Sequence, residues 1–319
     1  MSTLPAAPEV IEHTIVVTAA PETLFDLIAE VERWPQFHEP SVYADRPVRS
    51  HNADVVRHWL LSGEQVDLLL SHRILDRPRL RIEQHRLDPR PPLVDSTVIW
   101  TVEPLSETES RIRLRHEFGS SAADFTAQFA ERIQRSGPRQ LAAIADAARP
   151  EARGELLLSF TDPLFIGGSV DDAYAFLYEA DKWPERVEHV NGLEMTEDIP
   201  GVQFFDMDTH TPDGAAHTTR SVRLCFPRQL IVYKQIQLPK LLDAHTGHWL
   251  FTTAPEGVVA EARHTVVIKP AALSLLGPDA TVADARRYLR RVLSGNSLNT
   301  LRHAKEFTEL RTGLARRQP

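Results

Sequence analysis

Apolar residues recur along this chain with two periods, and the change from one period to the other marks its elements. Residues 10–18 (VIEHTIVVT) read as a strand. Pro21 then opens a segment in which Leu24, Phe25, Leu27, Ile28 and Val31 fall at helical spacing. Trp34-Pro35 is expected to end that helix, because the residue before proline is pushed out of the α region. Strand-like segments follow at 42–50, 53–61, 64–75, 80–87, 94–103 and 110–118, with turn chemistry at Ser62-Gly63 and at 88–92. A long amphipathic helix over 121–147 closes the half.

The same order then starts again. A strand at 155–161 (ELLLSFT) precedes a helix at 170–178, further strands to about Lys269, and a helix over 279–310. Trp34-Pro35 is answered by Trp183-Pro184, Arg73 by Arg223, Trp100 by Trp249 and His116 by His264, at offsets that stay between 148 and 150 residues. So steady an offset indicates one duplicated fold, with a period the size of a globular domain rather than of a solenoid repeat. The expected domains are 1–149 and 154–319, joined by the polar stretch at 148–154 (ARPEARG). The expected fold class is α+β: in each half, a curved antiparallel sheet wrapped around a long C-terminal helix, with a cavity between them.

Alternation says which side chains face that cavity. In 110–118 the even positions are Ile112, Leu114, His116 and Phe118, while the odd ones are Arg111, Arg113, Arg115 and Glu117. The matching face of 258–268 carries Val258, Ala260, Ala262, His264, Val266 and Ile268. Each half thus turns one histidine inward on its last strand. Segment 66–73 puts Asp67, Leu69, Ser71 and Arg73 on one face, and its counterpart puts His217, Thr219, Ser221 and Arg223 on one face. If that parity is the concave one, each cavity contains Ser-x-Arg. A guanidinium cannot shed its proton to suit burial, so it needs an acceptor or a ligand.

Composition narrows the function. The chain has 319 residues, 42% hydrophobic and 25% charged, enough for two complete cores. A net charge of −8 disfavours nucleic acid as a partner. The first ten residues, MSTLPAAPEV, have no basic-then-apolar leader pattern, and no apolar run has the length of a membrane span. Cys225 is the single cysteine, so no intramolecular disulfide is expected. These features point to the cytoplasm. No GxGxxG, P-loop, G-x-S-x-G or Cys/His metal spacing occurs, and no cofactor is expected. His245 and His248 form H-x-x-H, but on a strand that spacing sends them to opposite faces, which argues against a metal. The basic run at 286–291 reads as a solvated helix face, or as a dock for an acidic partner.

The opening of each half, its Trp-Pro, the Ser-x-Arg strand and the histidine strand resemble the START-like (Bet v1-like, helix-grip) superfamily. The stretch 19–36 (AAPETLFDLIAEVERWPQ) and the segment 100–104 (WTVEP) resemble the aromatase/cyclases of bacterial type II polyketide synthases. The duplication resembles their di-domain members. That resemblance implies a cofactor-independent enzyme that takes a poly-β-ketone, typically after one ketoreduction, from an acyl carrier protein. It would close the first ring between C7 and C12 and dehydrate it, beside ketosynthase and ketoreductase subunits. The family's pocket arginine carries over to Arg73 and Arg223, its serine to Ser71 and Ser221, and its histidine to His116 and His264. Where single-domain members have a tryptophan two residues before the serine, this chain has Leu69 and Thr219. Trp34, Trp100, Trp183, Trp249 and His217 are further candidates for the cavity wall.

The chemistry fits those residue types. Aldol closure needs an enolate, a polarised ketone and loss of water. A guanidinium in a dry pocket stabilises the developing oxyanion, a histidine moves protons, and an apolar wall holds the chain in one fold. With both halves retaining these residues, both are pooled as active. Other readings stay open: core packing for Trp34 and Trp183, a core histidine for His116 and His264, and an arginine paired with a carboxylate such as Asp67 or Glu64. For the whole protein they are a carrier of a lipid or other hydrophobic molecule, or a protein-binding module with no cavity.

Overall fold

The structure is a computed structural model that describes residues 8–150, 154–188, 190–210 and 216–313. The side chains of residues 209, 210, 216 and 217 lie outside the described ones, and the candidate wall residue His217 is among them. Two compact units, Met1–Arg153 and Gly154–Pro319, divide the chain.

In the first unit, β1 (Glu9–Val17) leads to an opening helix, Pro21–Ala29. Then come β2 (Ser41–Arg49), β3 (Ala53–Ser62), β4 (Gln65–Asp76), β5 (Arg81–Arg86), β6 (Leu93–Pro104) and β7 (Ser110–Ser120), and a closing helix, Ala123–Ala147. The second unit repeats this with β8 (Leu157–Gly167), an opening helix Val170–Tyr178, β9 (Val190–Ile199), β10 (Val202–His210), β11 (Ala216–Phe226), β12 (Leu230–Gln237), β13 (Leu242–Ala254), β14 (Gly257–Ile268) and a closing helix Val282–Arg311. The two sheets have the same antiparallel order, β1-β7-β6-β5-β4-β3-β2 and β8-β14-β13-β12-β11-β10-β9. Each half is therefore a helix-grip domain of the expected α+β kind, built from hairpins with the first strand returning to pair with the last.

Two elements depart from the expectation. The first opening helix stops at Ala29, where Glu30 leaves helical geometry (φ −83°, ψ 68°), and Trp34-Pro35 sits within a separate 3-10 turn, Val31–Gln36. The bend precedes the proline instead of following from it. The strand expected at 155–161 runs on through Pro163 to Gly167. β8 is the edge of its sheet, so Pro163 can pair with Glu261 on its inner side while its missing N–H faces no strand.

The interior follows the alternation. In the first unit Leu24, Leu27 and Ile28 of the opening helix pack with Trp34, Trp100 and Leu141 in one core. A second cluster of that unit gathers Ile11, Leu93, Phe118 and Ile133. Among the described residues of the second unit, one cluster surrounds Trp183, Trp249 and Leu301 and another Val266, Ile268 and Leu289. Among the described residues no helix is long and apolar enough to cross a membrane.

Candidate active site

The repeated arginines show what the duplication kept and what it changed. Both are buried, with 1% of the side chain exposed. Arg73 Nη2 donates to the carbonyl of Ala29 at 2.9 Å and Nη1 to that of Ile28 at 3.5 Å. Arg223 donates to the carbonyls of Leu177 at 2.9 Å and Tyr178 at 2.8 Å. These carbonyls end the two opening helices, where no backbone N–H can satisfy them and where the helix dipole favours a cation. Each arginine therefore has a structural role that its sequence context did not reveal.

Their remaining partners differ. Arg73 forms a two-pronged ion pair with Asp54, Nε to Oδ1 at 2.8 Å and Nη2 to Oδ2 at 2.6 Å. The carboxylate is neither Asp67 nor Glu64, both of which are exposed. Asp54 lies directly across from Arg73 in the β3–β4 register, whereas Asp67 pairs with Leu60 farther along β4. At the matching position of the second domain stands Gln203, across from Arg223 in the β10–β11 register. Its Oε1 accepts from Arg223 Nε at 3.0 Å and also from Nη2. A neutral amide replaces the carboxylate and holds the same fork without cancelling its charge. The Gln203 Nε2 donates onward to Glu197 at 2.7 Å, so the nearest linked carboxylate is one amide removed. Burial lowers the Arg223 pKa from its ordinary value, although a guanidinium remains protonated at neutral pH. Trp183 and Phe205 flank it at 5.5 and 5.3 Å from ring centroid to guanidinium carbon.

Arg223 forms part of the wall of a cavity of about 540 Å³ between the second sheet and its closing helix. Ser221, Thr219, Trp183, Trp249 and His264 are wall residues too, so this chamber brings together six of the expected positions. Thr219 Oγ1 and His264 Nε2 are buried and have no hydrogen-bond partner. Buried polar atoms in native proteins are nearly always satisfied, so two orphans in one cavity wall suit a ligand that supplies their partners. Apolar side chains such as Leu241, Leu276, Leu289 and Val292 fill out the wall.

A polar cluster that the sequence reading missed completes the chamber. Tyr233 Oη lies 2.8 Å from His264 Nδ1, His245 Nε2 lies 3.1 Å from the same atom, and His245 Nδ1 lies 2.8 Å from Gln235 Oε1. Burial pushes the His264 pKa down to about 4, with Asp162 opposing the shift and Arg290 and His248 reinforcing it. Burial and His264 hold His245 well below the ordinary histidine range. Both rings are neutral at pH 7. His248 is absent from the chamber wall, as the H-x-x-H parity implies. Among the described residues no group of three or more His, Cys, Asp or Glu side chains is placed to hold a metal.

Room for Tyr233 comes from Gly247, its cross-strand partner. A Cβ there would fall 2.3 Å from Tyr233 Oη and 2.2 Å from the backbone oxygen of Arg263. The first domain has Val98 at the matching place, opposite Gln84. Gly247→Val is accordingly expected to cost about 1–3 kcal/mol and to displace the phenol. Denaturant unfolding, together with the environment of His264 followed by NMR, checks this; an unperturbed midpoint would show that the approach is not tight.

The first domain's counterparts are more self-contained. Ser71 accepts from Gln84 Nε2 at 3.0 Å. Trp34 and Trp100 meet edge-on at 5.9 Å within the core. Leu69 is half-buried. His116 is mostly buried with its Nε2 unpartnered, and burial, with His13 second, lowers its pKa to about 4. The basic run at 286–291 is largely engaged within its own domain. Arg286 Nη1 donates to the carbonyls of Glu155 and Leu157 at 2.8 and 2.7 Å, and Arg290 pairs with Asp162 at 2.6 Å. Arg287 pairs with Asp284.

Comparison with known proteins agrees with this architecture. A family model described as polyketide cyclase/dehydrase and lipid transport matches residues 8–146. The chain is 39% identical over 305 residues to the granaticin polyketide synthase bifunctional cyclase/dehydratase of Streptomyces violaceoruber, covering 93% of this chain and 94% of that one. It is 38% identical over 304 residues to the actinorhodin polyketide synthase bifunctional cyclase/dehydratase of Streptomyces coelicolor, covering 92% and 94%. Among solved structures, it resembles the di-domain ARO/CYC StfQ from the steffimycin biosynthetic pathway, with a TM-score of 0.86, 48% identity, and coverage of 95% and 99%. The di-domain ARO/CYC BexL from the BE-7585A biosynthetic pathway gives a TM-score of 0.88 at 36% identity, covering 94% and 99%.

Proposed function

The chain belongs to the di-domain aromatase/cyclases, the bifunctional cyclase/dehydratases of type II polyketide synthases, and from that premise we propose that its C-terminal chamber is where the ring is made. The protein is an enzyme of aromatic polyketide synthesis. Its substrate in this reading is a poly-β-ketone, ketoreduced at one carbonyl, carried on the phosphopantetheine arm of an acyl carrier protein. The reaction is aldol closure between C7 and C12 followed by dehydration. The observation that carries the assignment is the uncancelled cation: Arg223 reaches the chamber wall held by an amide, whereas Arg73 is neutralised by Asp54.

The chamber's groups divide the work. The described bonds to oxygen use four of the five guanidinium N–H groups of Arg223, counting Gln203 twice; the Cys225 thiol is also a neighbour, and in this reading the remaining N–H on Nη1 meets a substrate oxygen. In an apolar surround that donor stabilises the enolate or the alkoxide as charge develops. Ser221 and Thr219 orient carbonyls, and Trp183 and Trp249 confine the chain so that one pair of carbons meets. His264 moves the protons. In the first domain, Arg73 and Ser71 support the fold in this reading, with Asp54 and Gln84 taking the contacts that a substrate would need, while His116 Nε2 stays unpartnered.

The test is reconstitution with a minimal polyketide synthase and a ketoreductase. Adding the protein should convert uncyclised shunt products into a first-ring aromatic product, read by liquid chromatography and mass spectrometry. An unchanged profile, or a stoichiometric ligand bound without turnover, would overturn the assignment.

A further inference from the structure

We propose that Gln235 and His245 act as positioning residues that fix the tautomer of His264, making His264 Nε2 the atom that exchanges protons with the substrate. The inference rests on the chamber being the reaction site, and it adds which atom reacts and what holds it ready.

An amide oxygen only accepts, so the 2.8 Å contact between Gln235 Oε1 and His245 Nδ1 places a hydrogen on Nδ1. His245 is neutral because it is buried beside a second imidazole, so its Nε2 carries a lone pair. That lone pair lies 3.1 Å from His264 Nδ1, and two lone pairs do not face each other at that distance. His264 Nδ1 therefore holds the hydrogen. Tyr233 Oη, at 2.8 Å, shares it as a second acceptor, and its own hydrogen has two acceptors at 3.5 Å, the carbonyl of Arg263 and the lone pair of His245 Nε2. A neutral His264 with its hydrogen on Nδ1 has a bare Nε2. That atom is the one the protein leaves without a partner.

The surroundings keep it so. Phe160 of β8 packs on the ring with centroids 5.2 Å apart, and Arg290 of the closing helix lies 4.3 Å over Phe160 while paired to Asp162 of β8. The charged and titratable groups acting on His264 are thus Asp162, Arg290, His245 and His248, with Tyr233 hydrogen-bonded to it. Their sum with burial leaves the ring neutral at pH 7, so Nε2 has a lone pair free to take a proton, and the lowered pKa drives that proton on to the substrate. The first domain lacks the wiring. In the matched registers Tyr233, Gln235 and His245 correspond to Gln84, Arg86 and Ser96.

The proton balance closes without a co-reactant. In ring closure the electron pair of a methylene C–H bond moves to the neighbouring carbonyl oxygen, and the proton goes to His264 Nε2. The enolate carbon then bonds to the ketone carbon, and the new alkoxide takes that proton back. In dehydration Nε2 removes a second proton from the same carbon and delivers it to the hydroxyl group, which leaves as water while the double bond forms.

The experiment is NMR of the whole protein labelled with 15N-histidine, with assignment by single-histidine substitution. The expected result is the Nδ1–H tautomer at His264; an Nε2–H tautomer would overturn the proposal without touching the assignment of the chamber. Gln235→Leu removes the acceptor that anchors the chain. It should release the tautomer and lower kcat by about 10²-fold, with KM within about twofold of the parent. Gln235→Glu keeps an acceptor at that place and should preserve the tautomer and most of the rate. A Gln235→Leu protein with both tautomer and kcat unchanged would also overturn the proposal. Failure of the chamber assignment looks different: Arg223 variants would then keep full activity while the tautomer stays as stated.

Discussion

Arg223→Met is expected to lower the rate of ring closure by about two to three orders of magnitude, as loss of a preorganised oxyanion donor does. Methionine keeps the length and packing of the arginine stem but donates no hydrogen bond and brings no charge. The substrate's developing oxyanion would then face Thr219, Ser221 and an apolar wall. The variant also leaves the carbonyl of Leu177 without its donor and takes one of two from that of Tyr178, which keeps Gln203 Nε2, so some loss of stability accompanies it. The two effects separate when product formation in the reconstituted synthase is normalised to folded protein and substrate binding is measured alongside. Arg223→Lys should fall between, since an ammonium restores the charge without the planar fork that spans Gln203 and both carbonyls. Undiminished turnover in Arg223→Met would remove the guanidinium from the mechanism.

The equivalent change in the first domain should show a different phenotype. Arg73→Met leaves Asp54, only 4% exposed, as a buried carboxylate without its fork. Breaking one side of a buried ion pair costs about 3–5 kcal/mol, because the surviving charge is neither solvated nor paired. Arg46 Nη1, at 3.7 Å from Asp54 Oδ2, moderates that cost. The carbonyls of Ile28 and Ala29 lose their donor as well. A lower unfolding midpoint is therefore expected, together with faster amide exchange in Pro21–Ala29, β3 and β4. Turnover per folded molecule should stay close to the parent's. Adding Asp54→Leu removes the stranded charge and should recover much of the stability. A stable Arg73→Met protein that no longer cyclises would place the chemistry in the first domain and reverse the proposed division of labour.

The two arginines also show where reading along the chain reached its limit. Their equivalence was visible in the offset, and their burial was expected only if the polar parity of the strand faced the cavity. Their partners were not visible, because a cross-strand neighbour is set by register, and register depends on where each turn falls. Asp67 shares a face with Arg73 yet is exposed on β4, while Asp54, nineteen residues back in sequence, sits directly opposite. A position-by-position comparison of the halves held a usable signal. Asp54 against Gln203, Gln84 against Tyr233, Ser96 against His245 and Val98 against Gly247 are each a change of chemistry at one offset of 149. Those four positions distinguish the second domain's polar chamber from the first domain's paired interior. Reading H-x-x-H only for metal hid His245, whose importance comes from contact with His264 on the adjacent strand.

By itself the sequence determined the duplicated α+β fold, the inward face of each domain's last strand and the equivalence of the two arginines, since periodicity and repetition are local properties of the chain. Only the tertiary structure decided which cation is paired with a carboxylate and which is held by an amide, and which imidazole nitrogen is left without a partner. Those outcomes depend on contacts across strands and beneath a helix, where a separation of a few ångströms joins residues that sequence spacing keeps far apart.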